Sequence, residues 1–440
     1  MTRGDCLSLE LKYQIEDKPV WKENGLYGLQ WLAVSLPAVI TFGKVLGGMD
    51  SPALEILYLQ KLFAVMGVAL LIQVFWGHRL PVVLGPSTIL FIGILASLES
   101  TPAAIYTSLL ICGALLALLA VTGLFGRLQS LFTPRVVAVI LLLVAFTILP
   151  TITNLVIGGT EVPGAGRRLI FAFVFMLLMF VGGRYLQGLL KNTLVLVAMV
   201  LGSLAYFLID PGWAAHASVE NIQPVALFFS HLNTSLVIEP GVLVAFILCF
   251  LGLSINDLGS IQAVGLVLKA EAMPRRITRG IAATGIGNVL AGWMGVIGPV
   301  NFSFSPGLIA ATGCAARRSL ISAGVAMLAL AFLPRIIFYL SFIPAAVIGC
   351  VLFYTMCTQV AAGLMTAFDA LQELGEPRFD NALMISLPIL MGIIISFLPA
   401  EITASYPYSL RPILSNGFVV GIVTSLVLEH TIGRPLKQKK

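Results

Sequence analysis

The stretch Val296–Arg318, VIGPVNFSFSPGLIAATGCAARR, lies among long apolar segments, yet it cannot form one continuous helix. Gly298-Pro299 interrupts it early, and Ser305-Pro306-Gly307 interrupts it again before Leu308 to Ala315 resumes a helical run. Proline lacks a backbone donor and crowds the preceding turn, so it suits a first helical position and rarely an interior one. The spacing therefore predicts Ser305 as N-cap and Pro306 as N1, with a helix that begins at membrane depth. Broken backbone survives in a bilayer only where protein buries it or a wet cavity lines it. Interrupted spans of this kind point to a transporter's binding site, the alternative being a proline kink that merely packs.

The surrounding composition sets that depth. Of 440 residues, 58% are hydrophobic and 10% charged, with a mean hydropathy of +1.00. A water-facing shell on a chain of this length would be short of polar groups, so the chain reads as a polytopic helical membrane protein. The net charge of +6 belongs to loops and tails and makes no case for nucleic acid binding. The first 25 residues mix acids and bases without an apolar core, so no cleavable signal peptide is expected. Six scattered cysteines (Cys6, Cys112, Cys249, Cys314, Cys350, Cys357) form no CxxC pair. They read as buried free thiols, neither a metal site nor a disulfide framework.

At about 20 apolar residues per span, about fourteen transmembrane segments are expected. Spans 1 to 7 fall at 26–47, 56–76, 82–98, 103–124, 134–152, 168–184 and 190–209. Spans 8 to 14 fall at 240–267, 279–296, 298–315, 318–339, 343–366, 381–400 and 410–432. This count places twenty Lys and Arg on the side of the two termini and six on the other: Lys44, Lys61, Arg167, Arg168, Arg335 and Arg411. The bias predicts that both termini are cytoplasmic. Two landmarks recur at nearly one offset. Gly85-Pro86 in span 3 matches Gly298-Pro299 at a distance of 213 residues, and Pro134 at the opening of span 5 matches Pro344 at the opening of span 12 at 210. Seven spans is an odd number, so a second copy would enter from the opposite face. The expectation is two inverted seven-span repeats, with broken half-helices in spans 3 and 10.

Among twenty acidic residues Asp257 stands out, deep in span 8 within Leu253-Ser254-Ile255-Asn256-Asp257-Leu258-Gly259. A carboxylate near the midplane costs about 2.5–3.5 kcal/mol, so it must face a cavity or a partner. A carboxyl that can take and release a proton is what a proton-coupled carrier needs; a structural carboxyl capped by donors of spans 9 and 10 is the other reading. Asn256 offers a donor and an acceptor, suited to the edge of a planar heterocycle or to an interhelical hydrogen bond. Half-helices starting at Gly85-Pro86-Ser87 and at Ser305-Pro306-Gly307 would present backbone N–H groups and partial positive charge to a carbonyl oxygen or an anion. Phe302 and Phe304 flank the second break, where a ring could stack on a planar ligand or simply fill the core. His78, His216, His231 and His430 fall at loops or span ends, so none reads as a buried relay. No P-loop, GxSxG, HExxH or Rossmann fingerprint is present, which leaves ATP-driven pumping and soluble-type catalysis without support.

Four runs carry a family resemblance. They are Gln30-Trp31-Leu32-Ala33, Arg79-Leu80-Pro81-Val82-Val83-Leu84-Gly85-Pro86-Ser87, Gly307-Leu308-Ile309-Ala310-Ala311-Thr312-Gly313 and Leu410-Arg411-Pro412-Ile413-Leu414-Ser415-Asn416-Gly417. In one register over essentially the whole chain, they resemble the nucleobase:cation symporter-2, or nucleobase–ascorbate transporter, family. The resemblance implies a core domain of spans 1–4 and 8–11 (26–124, 240–339) and a gate domain of spans 5–7 and 12–14 (125–210, 340–432). A tail (1–25), an extracytoplasmic loop (211–239) and a basic cytoplasmic tail (433–440) complete the chain. It further implies proton-coupled uptake of uracil, xanthine, uric acid or a related base, movement of core against gate, and a homodimer in the bacterial inner membrane. The chain departs from the family's pattern at its ligands. The span 8 glutamate falls at Asn256, the span 10 glutamate or glutamine at Phe304, the asparagine after it at Ser305, and the span 1 histidine at Trp31. A divergent member is expected, with Asn256, Ser305, Phe304, Phe302, Ser87, Gly85, Gly307 and Gln30 at the substrate, Asp257 on the proton, and no cofactor or metal. An anion carrier of sulfate or bicarbonate type on the same fold, or an uncoupled facilitator, remains the alternative.

Overall fold

The computed structural model describes residues 11–48, 52–158, 164–209, 222–373 and 379–432. Cys6, His216 and the basic tail at 433–440 lie outside them. The first half runs α1 (Trp21–Gly47), α2 (Pro52–Phe75), strand β1 (Leu84–Pro86), α3 (Thr88–Leu95), α4 (Pro102–Val121) and the short α5 (Phe125–Gln129). It continues through α6 (Pro134–Thr147), α7 (Leu149–Ile157), α8 (Ala165–Tyr185), α9 (Gly188–Asn192) and α10 (Leu194–Ile209). The second half opens with the same motif: α11 (Pro240–Val267), α12 (Met273–Met294), strand β2 (Pro299–Asn301), α13 (Ser305–Thr312) and α14 (Ser319–Ala331). Then come α15 (Pro334–Ser341), α16 (Ala345–Glu373), α17 (Phe379–Ser396), α18 (Ala400–Ala404), α19 (Arg411–Leu414) and α20 (Gly417–Thr431). Two long helices, a three-residue strand and an eight-residue helix thus occur twice, in the same order.

Local chemistry explains where these elements start. Thr101 and Thr133 cap α4 and α6, each accepting from the N–H three residues on, with Pro102 and Pro134 in the first turn. Ser87 caps α3 by accepting from Leu90 N at 3.4 Å. The matching helix α13 starts differently from the sequence expectation. Phe304 holds the N-cap position without a side-chain cap, and Ser305 is the first helical residue. The reason is tertiary: the Ser305 hydroxyl accepts from Val83 N at 3.1 Å and donates to Phe302 O at 2.9 Å, which takes it away from its own helix end.

Strands β1 and β2 pair antiparallel, with Leu84 opposite Asn301, Gly85 opposite Val300 and Pro86 opposite Pro299. The 213-residue offset therefore maps Pro86 onto its own pairing partner, as a two-fold axis passing between the prolines requires. Proline cannot donate to a ladder, so the pair is short. It is extended by Ser87 N donating to Gly298 O at 3.0 Å and Phe302 N to Val83 O at 2.9 Å. The offset also relates Gly85 to Gly298. A Cβ at Gly85 would run into the Phe302 ring, and one at Gly298 into Asn288 Oδ1. Both glycines are needed for close approach. Helix packing repeats the symmetry: α2 lies on α14 and α4 on α12, contacts that the two-fold exchanges, while α6 lies on its own counterpart α16.

Among the described residues, eight helices are long and apolar enough to cross a membrane, or nine if a bent pair counts as one span. These eight or nine fall short of the expected count of about fourteen, two of which were expected to be broken. Spans 3 and 10 are each divided between a strand and a short helix, and α10 and α20 are shorter apolar helices. Span 11, expected as one helix over 318–339, bends by 101° between α14 and α15, where Pro334 ends the ladder. Cys112, Cys249, Cys314 and Cys350 are buried free thiols, as read from the sequence, whereas Cys357 is exposed on α16. Outward apolar side chains on α8, α10 and α17, such as Leu177, Phe180, Leu204 and Ile394, form a lipid-facing surface.

Candidate functional site

The two strands cross where the membrane-embedded breaks meet, and α1, α11 and α12 pack around them. Helix α1 fixes the first break: Ser35 Oγ donates to Leu84 O at 2.7 Å, and Trp31 Nε1 donates to Ser319 Oγ of α14 at 3.0 Å. Trp31 is buried by that contact and acts as an interhelical pin. Its neighbour Gln30 is half-buried, and its Oε1 is buried with no hydrogen-bond partner.

Helix α11 brings Asp257 to the second break, fully buried. Its Oδ1 accepts from Asn301 N at 2.9 Å and Asn301 Nδ2 at 2.8 Å, and Oδ2 accepts from Thr284 Oγ1 of α12 at 2.8 Å. Three donors replace the water that a carboxylate loses at this depth. Consecutive helical residues differ by about 100°, so Asn256 cannot share this face. It is half-buried, and its side chain makes no hydrogen bond among the described residues.

Phe302 lies over Gly85, and its ring centroid is 4.9 Å from that of Phe304. Phe304 is 47% exposed, an aromatic face left open beside the break. Gly307 sits further along α13 and gives its carbonyl to Asn192 Nδ2 of α9 at 3.3 Å. Ser87 and Ser305 are buried, and both hydroxyls serve backbone groups. The structure thus gathers Gly85, Phe302, Phe304, Ser87, Ser305 and Asp257 around one strand crossing, with Asn256 next to Asp257 and Gln30 on the helix that braces β1.

Asp257 takes its donors from spans 9 and 10, as one of the two sequence readings has it, but the residues behind those donors were not anticipated. Gln73 Nε2 donates to Thr284 Oγ1 at 2.9 Å, and His78 Nε2 faces Asn301 Oδ1 at 3.3 Å. His78, expected at a span end without a buried role, is fully buried in the turn between α2 and β1. The turn re-enters the protein in place of leaving it, which a span-end position does not reveal. Thr284 carried a signal that was available, since it is a polar residue inside an apolar span, whereas Gln73 stands near the end of α2.

The Xan_ur_permease model, described as "Permease family", matches residues 23–401. The chain belongs to this family, the nucleobase:cation symporter-2 permeases. Among its relatives, the nucleobase transporter PlUacP of Paenibacillus larvae is 26% identical over 418 residues, 92% of this permease and 93% of the relative. The xanthine permease of Bacillus subtilis is 25% identical, covering 93% and 92% of the two chains. The uric acid permease PucJ of the same organism is 25% identical over 82% and 81%. The permease is a membrane transport protein and not an enzyme. Its fold is that of the transmembrane domain of a cyanobacterial bicarbonate transporter, BicA (TM-score 0.62, 14% identity, 87% of this chain and 97% of that one). SLC26A9 shares it as well (TM-score 0.61, 14% identity, 93% of this chain and 65% of that one).

Proposed function

We propose that this permease takes up a nucleobase, a purine such as xanthine or uric acid, or uracil, together with protons. The observation that carries the reading is the division of labour on α11: Asp257 is fully committed to donors while the adjacent Asn256 amide is uncommitted. Asn256, the unpartnered Gln30 oxygen and the open Phe304 ring supply what a flat, polar-edged heterocycle needs, a donor–acceptor edge and a stacking face. The names of the relatives, nucleobase transporter, xanthine permease and uric acid permease, agree with that chemistry. Labelled xanthine uptake into proteoliposomes, competed with purines, uracil, sulfate and bicarbonate, tests the substrate class. Competition by bases supports the reading, and competition by the anions alone overturns it. The bicarbonate transporter BicA shares the fold at 14% identity, which carries no substrate.

In this reading Asp257 takes the coupling proton. Asp257→Asn keeps the shape but cannot titrate, so base binding persists while accumulation driven by a pH gradient is lost. Normal accumulation by Asp257→Asn would make Asp257 a structural carboxyl and the protein a facilitator. We further propose that spans 1–4 and 8–11 (26–124, 240–339) move as a core against a gate of spans 5–7 and 12–14 (125–210, 340–432). Both termini lie in the bacterial cytoplasm, with 211–239 on the outer face, and the carrier works as a homodimer. The twenty-to-six Lys and Arg asymmetry supports that orientation.

A further inference from the structure

His78 sits at one end of two hydrogen-bonded arms that both finish on Asp257. Leu80 N donates to His78 Nδ1 at 2.9 Å, so the ring proton is on Nε2, which donates to Asn301 Oδ1 at 3.3 Å. That contact turns the Asn301 amide so that Nδ2 points to Asp257 Oδ1 at 2.8 Å. In the second arm, His78 N donates to Gln73 Oε1 at 3.3 Å. Gln73 Nε2 donates to Gly280 O and to Thr284 Oγ1, both at 2.9 Å, and Thr284 spends its own proton on Asp257 Oδ2 at 2.8 Å. Along each arm the bonds run from His78 toward Asp257. Reversing the Asn301 amide would set its oxygen against the carboxylate and its N–H groups against the ring proton.

We propose that His78 is a positioning residue for proton coupling: its ring sets the direction of the Asn301 amide and so keeps that donor aimed at Asp257. This rests on the reading of Asp257 as the proton carrier. A protonated Asp257 has an O–H that needs an acceptor, and one of its donors must find another partner. An anchored Asn301 amide restores the same donor set each time the proton leaves; an unanchored one is free to rotate and accept from the protonated form. The distinction between the two protonation states then weakens, and transport slips. The turn is held by more than the ring: Arg276 Nη1 donates to the carbonyls of His78 and Arg79 at 2.9 and 2.8 Å, beside the Leu80 N–H from which the ring itself accepts.

The substitutions His78→Asn and His78→Gln test this in proteoliposomes with labelled xanthine. A glutamine amide reaches the position of Nε2, whereas an asparagine amide reaches only that of Nδ1. The asparagine variant is expected to keep counterflow, exchange without a gradient, within about threefold of wild type, while gradient-driven accumulation falls about tenfold, the scale of one buried hydrogen bond. The glutamine variant is expected to restore accumulation. Should His78→Asn aggregate, His78→Phe, which keeps the ring volume and lacks the donor, carries the same expectation. Wild-type accumulation in the asparagine variant, equal loss of counterflow and accumulation, or failure of glutamine to restore coupling would each overturn the proposal. Asp257→Asn run in parallel separates the two claims. If it still accumulates xanthine normally, the proton reading fails and this inference with it. If it does not, and His78→Asn does, only this inference fails.

Discussion

Asn256 and Asp257 are adjacent, yet a helix turns them apart, so that Asp257 is held by three donors and the Asn256 amide by none among the described residues. Asn256→Ala removes the uncommitted donor and acceptor and is expected to weaken base binding by about 1–3 kcal/mol without unfolding the carrier, measured by equilibrium binding of labelled xanthine. Unchanged affinity would take Asn256 out of the pocket. Gly298 works by what it lacks. Asn288 Nδ2 donates to Thr284 O at 2.8 Å and Pro299 O at 3.0 Å, which brings its oxygen against the glycine. Gly298→Ala must push that side chain aside, an overpacking cost of about 1–3 kcal/mol that a thermal-shift assay should register as a lower Tm. That Asp257 needs partners was legible in the sequence, because a charge inside an apolar run must have one. His78 was not, since its burial depends on the turn folding back between α2 and β1.

Among the elements, the strand pair and the two eight-residue helices decide the site. The breaks were legible from proline and glycine in tandem, which together disfavour a helix through Gly85-Pro86 and Gly298-Pro299. That the breaks pair as strands was not, because pairing joins residues more than two hundred positions apart. The role of Ser305 follows from that pairing. Ser305→Ala leaves Val83 N without its acceptor in a buried turn and should cost about 1–3 kcal/mol of stability. The loss should appear as loosened β1–β2 contact, read as faster hydrogen exchange at Val83. Unchanged exchange at Val83 would contradict the tie. The bend between α14 and α15 teaches the same lesson: Pro334 was visible in the sequence, but a 101° turn depends on what the next helix packs against.

Over the whole molecule, the inverted repeat was legible from two proline landmarks at nearly one offset, and helix packing exchanges its halves accordingly. The N-terminal segment was read only as a polar tail. It crosses the end of α13 as an added backbone strip, with Lys12 N donating to Gly313 O, Ala315 N to Tyr13 O and Arg317 N to Ile15 O. Arg317 then holds Glu16 through Nε at 3.0 Å and Nη2 at 2.6 Å. That guanidinium keeps the Glu16 carboxyl below its ordinary value of 4.5, so the tether is present at neutral pH and is lost as pH falls through the lowered value. Glu16→Gln should therefore raise hydrogen exchange across residues 11–17 at pH 7, whereas wild type should reach that rate only in acid. Equal protection in the two proteins at pH 7 would show that the backbone strip alone holds the segment.

The claim that joins all three scales is that a nucleobase sits at the strand crossing, on Asn256 and the Phe302–Phe304 pair, beside a carboxyl that it does not touch. The most direct measurement is an experimental structure of the carrier saturated with the base that competes best in uptake. The expected result is a planar ligand in hydrogen-bond reach of Asn256, with a ring face against Phe304 and Asp257 still held by Asn301 and Thr284. A base bound elsewhere in a transport-competent protein, or one that displaces Asn301 to bind Asp257 itself, would contradict it.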